Sequence, residues 1–156
     1  MKQIPLTKNQ FTIVDDELFD YLNKWKWHYN SGYAERKENG RHVRMHRVIL
    51  KTRKFVDHIN GDPLDNRKEN LRPATKSTNA MNMKKSRGAS IYKGVSKDGD
   101  RWRAQICKNN RRVFSESAPK ERWGAMIYDL NAPLVFGEYA RLNFVPVGKI
   151  AGALPR

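Results

Sequence analysis

The first fifty residues alternate short apolar stretches with turn-forming pairs. Apolar side chains recur at helical spacing in residues 18–22, directly after Asp15, which predicts a short helix capped by that aspartate. Aromatic and polar residues then alternate over residues 25–29, the period of a strand, and Ser-Gly and Asn-Gly pairs follow as hairpin turns. Residues 42–50 predict either a second strand or a strand that continues into a helix.

The middle of the chain predicts two short strands and a helix, with a polar loop between the strands. Residues 56–59 and 71–74 are the two extended pieces, and residues 60–70 form the loop. Thr75 is a typical N-cap residue, so we expect a helix from there to about residue 84.

The last third predicts three strands, at about residues 91–96, 101–108 and 112–117. A helix follows to about residue 136, and Pro119 suits its first position. Residues 84–89 are basic and end in small residues, which is typical of a linker. The last ten residues, 147–156, predict a loose tail. The chain thus predicts an α+β protein with an N-terminal region over residues 1–83 and a second domain over residues 90–146.

The period of two sorts the second and third of these strands into two faces. The apolar face should pack on the helix and consists of Trp102, Ala104 and Ile106. The opposite face consists of Arg101, Arg103 and Gln105. In the third strand, simple alternation places Arg112 and Phe114 on one side and Val113 on the other. This segregation favours an arginine-rich sheet face of the kind that enters the DNA major groove, over a merely solvated surface.

The net charge narrows the choice of partner. Thirty-one Lys and Arg against 16 Asp and Glu give +15 and a pI near 10.1. Residues 83–112 alone contain ten Lys and Arg and two Asp. Such an excess indicates a polyanionic partner such as nucleic acid, although a ribosomal or purely electrostatic binder would share it.

Several protein classes are excluded by composition. Cys107 is the single cysteine, so neither an internal disulfide nor a Cys-rich zinc finger is expected. No apolar run approaches the roughly 18 residues of a membrane helix, and the first residues contain no signal-peptide stretch. We therefore expect a cytoplasmic protein.

The middle segment holds residues suited to phosphodiester hydrolysis. Asp57 and His58 are adjacent in a predicted strand, so one side chain can hold a metal while the other addresses water. Asn70 lies 12 residues after His58, and Asn79 lies 21 residues after it, one turn into the predicted helix. Carboxylate and amide oxygens suit hard divalent cations, and a histidine is a suitable base near neutral pH.

These residues carry a resemblance to the HNH nucleases, and most closely to the phage and intron-encoded homing endonucleases. Residues 56–62 (VDHINGD) and 65–72 (DNRKENLR), followed by Thr75 and Asn79, match the family's motif and spacing. The resemblance implies a ββα-metal fold, in which a β-hairpin and a helix hold one metal ion. It also implies that the substrate is double-stranded DNA.

The resemblance also implies a role for each matching residue. His58 would be the general base, Asp57 and Asn79 the metal ligands, and Asn70 the residue that braces the loop and orients His58. Asn79 replaces the family's last histidine, as in many homing members, and an oxygen ligand set favours Mg²⁺ or Mn²⁺ over Zn²⁺. Asn82 is the alternative ligand and Asn66 the alternative brace.

Two further predictions concern residues outside this core motif. His46 and Arg47 resemble the segment that leads into the motif, and we expect structural support or a phosphate contact rather than catalysis. His28 and His42 are expected to face solvent or to be satisfied locally.

A second resemblance covers residues 90–144, which look like the Apetala/ethylene-response-factor DNA-binding domain. The matching segments are residues 92–95 (YKGV), 102–106 (WRAQI), 125–129 (AMIYD), 137–140 (GEYA) and 142–144 (LNF). In that family three strands enter the major groove. Position by position, the residues implied to face DNA are Lys93, Lys97, Arg101, Arg103, Gln105, Arg112 and Phe114. Cys107 and Ser96 stand where many members have basic residues, so no target sequence transfers.

Together these features predict a site-directed DNA endonuclease of the homing type that uses one Mg²⁺ or Mn²⁺ ion. The nuclease motif spans about residues 45–83, and the C-terminal sheet reads DNA. One alternative is a non-catalytic DNA-binding protein with a decayed nuclease unit; a second is an RNA or ribosome binder. Whether the protein acts as a monomer or a dimer stays open.

Overall fold

The structure is a computed structural model and describes residues 1–84 and 88–144. The chain divides into two compact units, Met1–Asn82 and Met83–Arg156. Residues 85–87 of the predicted linker over residues 84–89, and all of the predicted tail over residues 147–156, lie outside the described residues. In the described ranges, none of the helices is long and apolar enough to cross a lipid bilayer.

The first unit is built from three small antiparallel sheets and three short helices. Strands β1 and β2 pair, β3, β4 and β5 form a sheet in that order, and β6 pairs with β7. Its strands are β1 (Lys2–Pro5), β2 (Phe11–Val14), β3 (His28–Asn30), β4 (Tyr33–Glu38), β5 (Arg41–Arg44), β6 (Phe55–His58) and β7 (Leu71–Ala74). Its helices are α1 (Asp16–Leu22), α2 (Met45–Ile49) and α3 (Lys76–Asn82), with a 3₁₀ turn at Lys68–Asn70.

Two predictions about the start of the chain need correction. The strand begins at His28, and Trp25 and Trp27 precede it. Trp27 is instead a core residue whose indole N–H donates to the Leu22 carbonyl at 2.8 Å, so its alternation with polar residues reflects packing at the end of α1. Asp15 occupies the N-cap position of α1 without a side-chain capping bond, because its Oδ2 accepts from the Lys68 amide at 2.8 Å.

The structure decides the open alternative for residues 42–50. Arg44 is extended and ends β5, and Met45 directly begins α2. Met45 is fully buried in a core that gathers apolar side chains from all parts of the unit. That core consists of Ile4, Leu6, Val14, Leu22, Trp27, Ala34, Met45, Ile49, Val56 and Leu71.

The pair β6–β7 and helix α3 follow the sequence closely. Strand β7 covers residues 71–74 as predicted, and Thr75 caps α3 by accepting from the Thr78 amide at 3.1 Å. Thr78 Oγ1 in turn accepts from the Thr75 amide at 2.8 Å, which makes a reciprocal cap. The loop between the strands is fixed to β2, since the Ile13 amide donates to Leu64 at 2.9 Å and the Asn66 amide donates to Ile13 at 2.8 Å.

In its described residues, the second unit contains one three-stranded antiparallel sheet in the order β10-β9-β8 and one long helix. Its elements are β8 (Val95–Asp98), β9 (Arg101–Lys108), β10 (Arg111–Ala118), α4 (Glu121–Phe136) and a 3₁₀ turn at Gly137–Tyr139. The first strand starts at residue 95 and not 91, because Gly94 turns the chain with a φ of +72°. A Cβ on Gly94 would lie 1.9 Å from the Tyr128 ring, so glycine is required there.

The core of the second unit is small and is supported by polar bonds. Ala104, Ile106, Tyr128 and Ala132 form its buried centre. The Asp129 carboxylate accepts from the backbone amides of Asn143 and Phe144, each at 2.8 Å. The Asn143 side chain bonds both backbone groups of Lys93, so these residues stabilise the fold.

Candidate active site

Asp57 and His58 form the last two positions of β6. Their partners across the pair are Arg72 and Leu71. Asp57 is 4% exposed and His58 is 6% exposed, so both polar side chains lie inside the unit. A buried carboxylate requires a counter-charge and hydrogen bonds, and the surrounding residues supply both.

Arg72 neutralises Asp57. Its Nε and Nη2 donate to Asp57 Oδ2 at 2.8 and 2.7 Å. Because the two residues are direct partners in the β6–β7 register, the backbone places the guanidinium over the carboxylate. Arg72 was not among the residues predicted for the site, although pairing the two predicted strands so that His58 faces Leu71 places Arg72 opposite Asp57.

Asn82 is the asparagine that contacts Asp57. Its Nδ2 lies 3.0 and 3.1 Å from the two carboxylate oxygens and 2.8 and 3.3 Å from the carbonyl oxygens of His58 and Ile59. An amino group has only two hydrogens, so at least two of these four oxygens receive none from Asn82. The carboxylate oxygens of Asp57 and the carbonyl oxygens of His58 and Ile59 thus form an oxygen-rich site.

Asn79 lies three residues earlier on the same helix. It is half-buried, and its side chain forms no hydrogen bond with any residue in the described ranges. The structure therefore brings Asn82, the alternative ligand, into contact with Asp57. Asn79, the ligand predicted first, lies three residues before Asn82, and its side-chain amide has no hydrogen-bond partner among the described residues. The assignment of Asn79 as a metal ligand stays a prediction.

A divalent ion fits the chemistry of these donors. In the two described ranges there is no group of three or more His, Cys, Asp or Glu side chains that could hold a metal. The donor set expected here is different, since it combines one carboxylate with amide and carbonyl oxygens, which suits Mg²⁺ or Mn²⁺. The surplus of oxygens around Asn82 Nδ2 is the observation that supports this fit.

His58 is fixed by a chain of hydrogen bonds that begins at Thr12. The Thr12 hydroxyl donates to the Leu64 carbonyl at 2.7 Å and accepts from Asn66 Nδ2 at 2.8 Å. This turns Asn66 Oδ1 towards His58 Nε2, 3.4 Å away. An amide oxygen only accepts, so the proton of the neutral imidazole lies on Nε2 and Nδ1 is the basic nitrogen.

Burial controls the protonation of His58. It lowers the pKa of His58 below its usual value, against the opposing effects of the Asn66 hydrogen bond and of the Asp57 carboxylate. The imidazole is therefore neutral at pH 7 and able to accept a proton.

Asn70 holds the loop rather than the imidazole. Its Nδ2 donates to Asn60 Oδ1 at 3.0 Å and to the Asp65 carbonyl at 2.8 Å, and its Oδ1 accepts from the Asn60 amide at 3.0 Å. The residue that contacts the His58 ring is Asn66, the alternative brace. Asp65 is itself held by Arg67 through two bonds of 2.8 and 2.7 Å.

His46 and Tyr33 complete the surroundings of His58. The rings of His46 and His58 have centroids 5.1 Å apart, and the Tyr33 ring lies 5.5 Å from His46 and 6.2 Å from His58. Burial lowers the pKa of His46 to about 3, so it is a neutral packing residue at physiological pH. The predicted supporting role of His46 agrees with this position; a phosphate contact by Arg47 stays a prediction.

In the second unit, the outward sheet face carries four of the residues expected to face DNA: Arg101, Arg103, Gln105 and Arg112. Arg101 Nε donates to Ser117 Oγ at 2.8 Å, and Arg103 pairs with Asp98 and donates to Ser115 Oγ at 3.3 Å. Arg112 lies opposite Cys107, on the same face. Their contact with DNA stays a prediction.

Three other residues expected to face DNA are placed elsewhere. The register of β10 shifts between Arg112 and Phe114, so Val113 is an extra residue and Phe114 lies opposite Ile106, packed on the core. Lys97 lies opposite Trp102, with its Nζ 4.8 Å from the centre of that ring, and so belongs to the helix side of the sheet. Lys93 precedes β8 and is not part of the sheet.

The sequence also resembles known proteins. A family model described as HNH endonuclease matches residues 43–81, which contain Asp57, His58, Asn70 and Asn79. An uncharacterized HNH endonuclease of Acanthamoeba polyphaga mimivirus is 32% identical over 146 residues, covering 87% of this chain and 76% of that protein. Protein 3.8 of Escherichia phage T7 is 32% identical over 92 residues, covering 57% of this chain and 75% of that protein. No solved structure is significantly similar to the chain.

Proposed function

Because the chain belongs to the HNH endonuclease family, we propose that it is a site-directed DNA endonuclease of the homing type. It would hydrolyse phosphodiester bonds with one divalent ion, Mg²⁺ or Mn²⁺. The single observation that carries this proposal is the buried pair of Asp57 and His58, with a neutral imidazole beside the oxygen-rich site. Strands β6 and β7 and helix α3 would form the ββα-metal unit.

In the proposed mechanism His58 is the general base. Its Nδ1 takes a proton from the attacking water, the water oxygen bonds to phosphorus, and the bond from phosphorus to the leaving 3′ oxygen breaks. The Asn66–Thr12 chain holds the proton on Nε2 and thereby keeps Nδ1 basic. Asn70 keeps the loop after β6 in place, which fixes the backbone that carries His58.

Asp57 and Asn79 would hold the metal, with Asn82 as the alternative ligand. When bound, the ion supplies stabilisation of negative charge on the phosphate and on the leaving oxygen. Arg72 must then share or release Asp57, since the guanidinium now occupies Oδ2 with two hydrogen bonds.

The C-terminal sheet would place the nuclease unit on its target. Four polar side chains share its outward face, and such a ribbon fits the major groove. We propose DNA binding through this face, in the manner of the Apetala/ethylene-response-factor domain that its sequence resembles. Arg103 forms an ion pair with Asp98. Arg103 can therefore contact a base only if this ion pair breaks.

The viral source of both relatives supports a viral or phage origin and action in the cytoplasm of a host cell. One centre per chain suits nicking by a monomer or double-strand cutting by a dimer.

One observation favours a second candidate, a DNA-binding protein whose nuclease unit has decayed. Both carboxylate oxygens of Asp57 already have donors in Arg72 and Asn82. A site closed in this way would bind DNA and would not cut it.

A plasmid assay separates the two candidates. Supercoiled plasmid is incubated with the wild-type protein and with His58→Ala, with Mg²⁺, with Mn²⁺ and with EDTA. The proposal expects metal-dependent nicking or linearisation by the wild type and none by His58→Ala, with DNA binding preserved in both. His28→Ala is the matched control. Because the His28 side chain is exposed, this variant should cut plasmid as the wild type does. Wild-type binding without cutting in either metal would favour the decayed nuclease, and full cutting by His58→Ala would remove His58 from the mechanism.

A further inference from the structure

The first unit has a groove of about 880 Å³. It lies between the β4–β5 hairpin, helix α2 and the segment that follows α2. The cationic residues that line it are Arg41, Arg44, Arg47, Lys51 and Arg53. The one acidic residue in its lining is Glu38. The lining thus has a net charge of about +4 with His42 neutral, from five cations and one acid.

Most of these cations have no acidic partner. Among the residues that the structure describes, Arg41, Arg47, Lys51 and Arg53 form no ion pair, and Glu38 is paired with Arg36, which is not in the lining. Arg47 Nε is buried and has no hydrogen-bond partner in the described part of the chain. A buried donor without a partner is costly, so a ligand that accepts from Arg47 would be stabilised there.

Arg44 links the groove to the candidate active site. Its guanidinium lies 4.3 Å from the centre of the Tyr33 ring, which in turn lies 6.2 Å from the His58 ring. Helix α2 makes the same connection, since His46 packs on His58 while Arg47, the next residue, lines the groove. The groove is therefore connected to His58 through Tyr33 and through helix α2.

We propose that this groove binds the sugar-phosphate backbone of duplex DNA beside the scissile phosphate. Several unpaired cations along one groove repel each other, and only a ligand with several negative charges offsets the repulsion along its whole length. A DNA strand presents phosphates at a regular spacing and meets that requirement. The choice of DNA among polyanions rests on the proposed function. The nuclease unit then has a phosphate-binding surface of its own, separate from the C-terminal sheet.

The test measures DNA binding by the full-length protein in EDTA, where no cleavage occurs. The variant is Lys51→Gln/Arg53→Gln, and the matched control is Lys24→Gln/Lys26→Gln, which removes the same charge from two exposed residues outside the groove. Fluorescence anisotropy with a 30-base-pair duplex is recorded over a range of KCl concentrations. The slope of log K against log[KCl] should fall by about 2 in the groove variant, one for each lost phosphate contact, and by less than about 0.5 in the control.

Thermal unfolding of both variants should match the wild type, because all four side chains are exposed. Equal slopes in the two variants would overturn the proposal, since charge and not position would then decide the effect. Tighter binding to duplex RNA of the same length than to DNA would overturn the assignment to DNA.

This result is independent of catalysis. If the wild type cuts plasmid while the groove variant keeps the full salt slope, the groove proposal fails and the nuclease proposal stands. If the groove variant has a smaller salt slope than the wild type, and neither protein cuts plasmid with Mg²⁺ or Mn²⁺, the groove proposal stands and the nuclease proposal fails.

Discussion

Arg72 binds one oxygen of Asp57 through both Nε and Nη2, and the two residues face each other directly across β6 and β7. This buried pair neutralises the expected metal ligand before any metal arrives. Removing one partner of a buried ion pair leaves an uncompensated charge and typically costs about 3–5 kcal/mol. A divalent ion that binds Asp57 would therefore compete with the guanidinium for the same carboxylate.

Replacing Arg72 by glutamine should make stability depend on metal. In EDTA, Arg72→Gln should lose about 3 kcal/mol of unfolding free energy, because Asp57 stays buried without its cation. Millimolar Mn²⁺ should restore more stability to this variant than it adds to the wild type, since the ion then meets no competitor. Urea unfolding with and without Mn²⁺ measures both effects. The double variant Asp57→Asn/Arg72→Gln is the control and should not respond to Mn²⁺; a single variant equally unresponsive would show that Asp57 holds no metal.

Asn79 and Asn82 should differ in what their loss changes. Asn82→Ala removes the donor to Asp57 and to the His58 carbonyl, so we expect a loss of about 1–3 kcal/mol in stability. Asn79→Ala removes a side chain with no bond among the described residues, so stability should stay within about 0.5 kcal/mol while Mn²⁺ affinity falls. Thermal unfolding and calorimetric titration with Mn²⁺ distinguish the two. Unchanged Mn²⁺ affinity in Asn79→Ala, with a loss in Asn82→Ala, would make Asn82 the ligand.

Thr12 should influence cleavage from a distance, through the tautomer of His58. Thr12→Val keeps the shape of the side chain but removes the acceptor that orients the Asn66 amide, so Asn66 is free to turn its Nδ2 towards His58. An Nδ2 donor would place the imidazole proton on Nδ1, the nitrogen that we expect to act as base. The cleavage rate should fall at least about tenfold at unchanged DNA affinity. Thr12→Ser keeps the hydroxyl and is the control; wild-type rates in Thr12→Val would contradict the proposed bond chain.

Much of this arrangement follows from sequence patterns that act locally. The two strands and the cap at Thr75 could be predicted because alternation and capping depend on neighbouring residues. The contacts of Asp57 with Arg72 and Asn82 depend on strand register and on the rotation of a helix, which the motif spacing leaves undefined. Trp27 shows the same limit. Its ring is buried at the end of α1, but its alternation with polar neighbours in the sequence predicted a strand.

The acid sensitivity of the fold should depend on His46. Burial lowers the pKa of His46 to about 3 in the folded state, against 6.5 for the unfolded chain. Folding then requires the neutral ring, so its contribution is complete above pH 6.5 and is lost as the pH falls towards 3. Between pH 7 and pH 4.5 the wild type should lose on the order of 2 kcal/mol through this group alone.

His46→Phe is the variant that tests this assignment. The phenyl ring keeps the packing against His58 without a titrating group, so urea unfolding should show a smaller loss between the two pH values than in the wild type. His58, whose pKa burial also lowers, contributes in the same direction and remains in both proteins. Identical losses in the two proteins would remove His46 as the source.

Arg112 and Phe114 lie on opposite sides of the second sheet because one extra residue, Val113, interrupts the alternation of β10. Sequence periodicity assumes an unbroken strand, and a bulge reverses every side chain beyond it. Phe114→Ala should therefore lower the stability of the second unit by about 1–3 kcal/mol, since the ring packs against Ile106 and its neighbours. Arg112→Ala should leave stability unchanged and reduce the salt slope of DNA binding by about 1. Thermal unfolding and anisotropy at a temperature where both variants are folded measure the two effects. If Phe114→Ala lowered the salt slope and Arg112→Ala left it unchanged, the sheet would contact DNA through its other face. In this fold α4 covers that face.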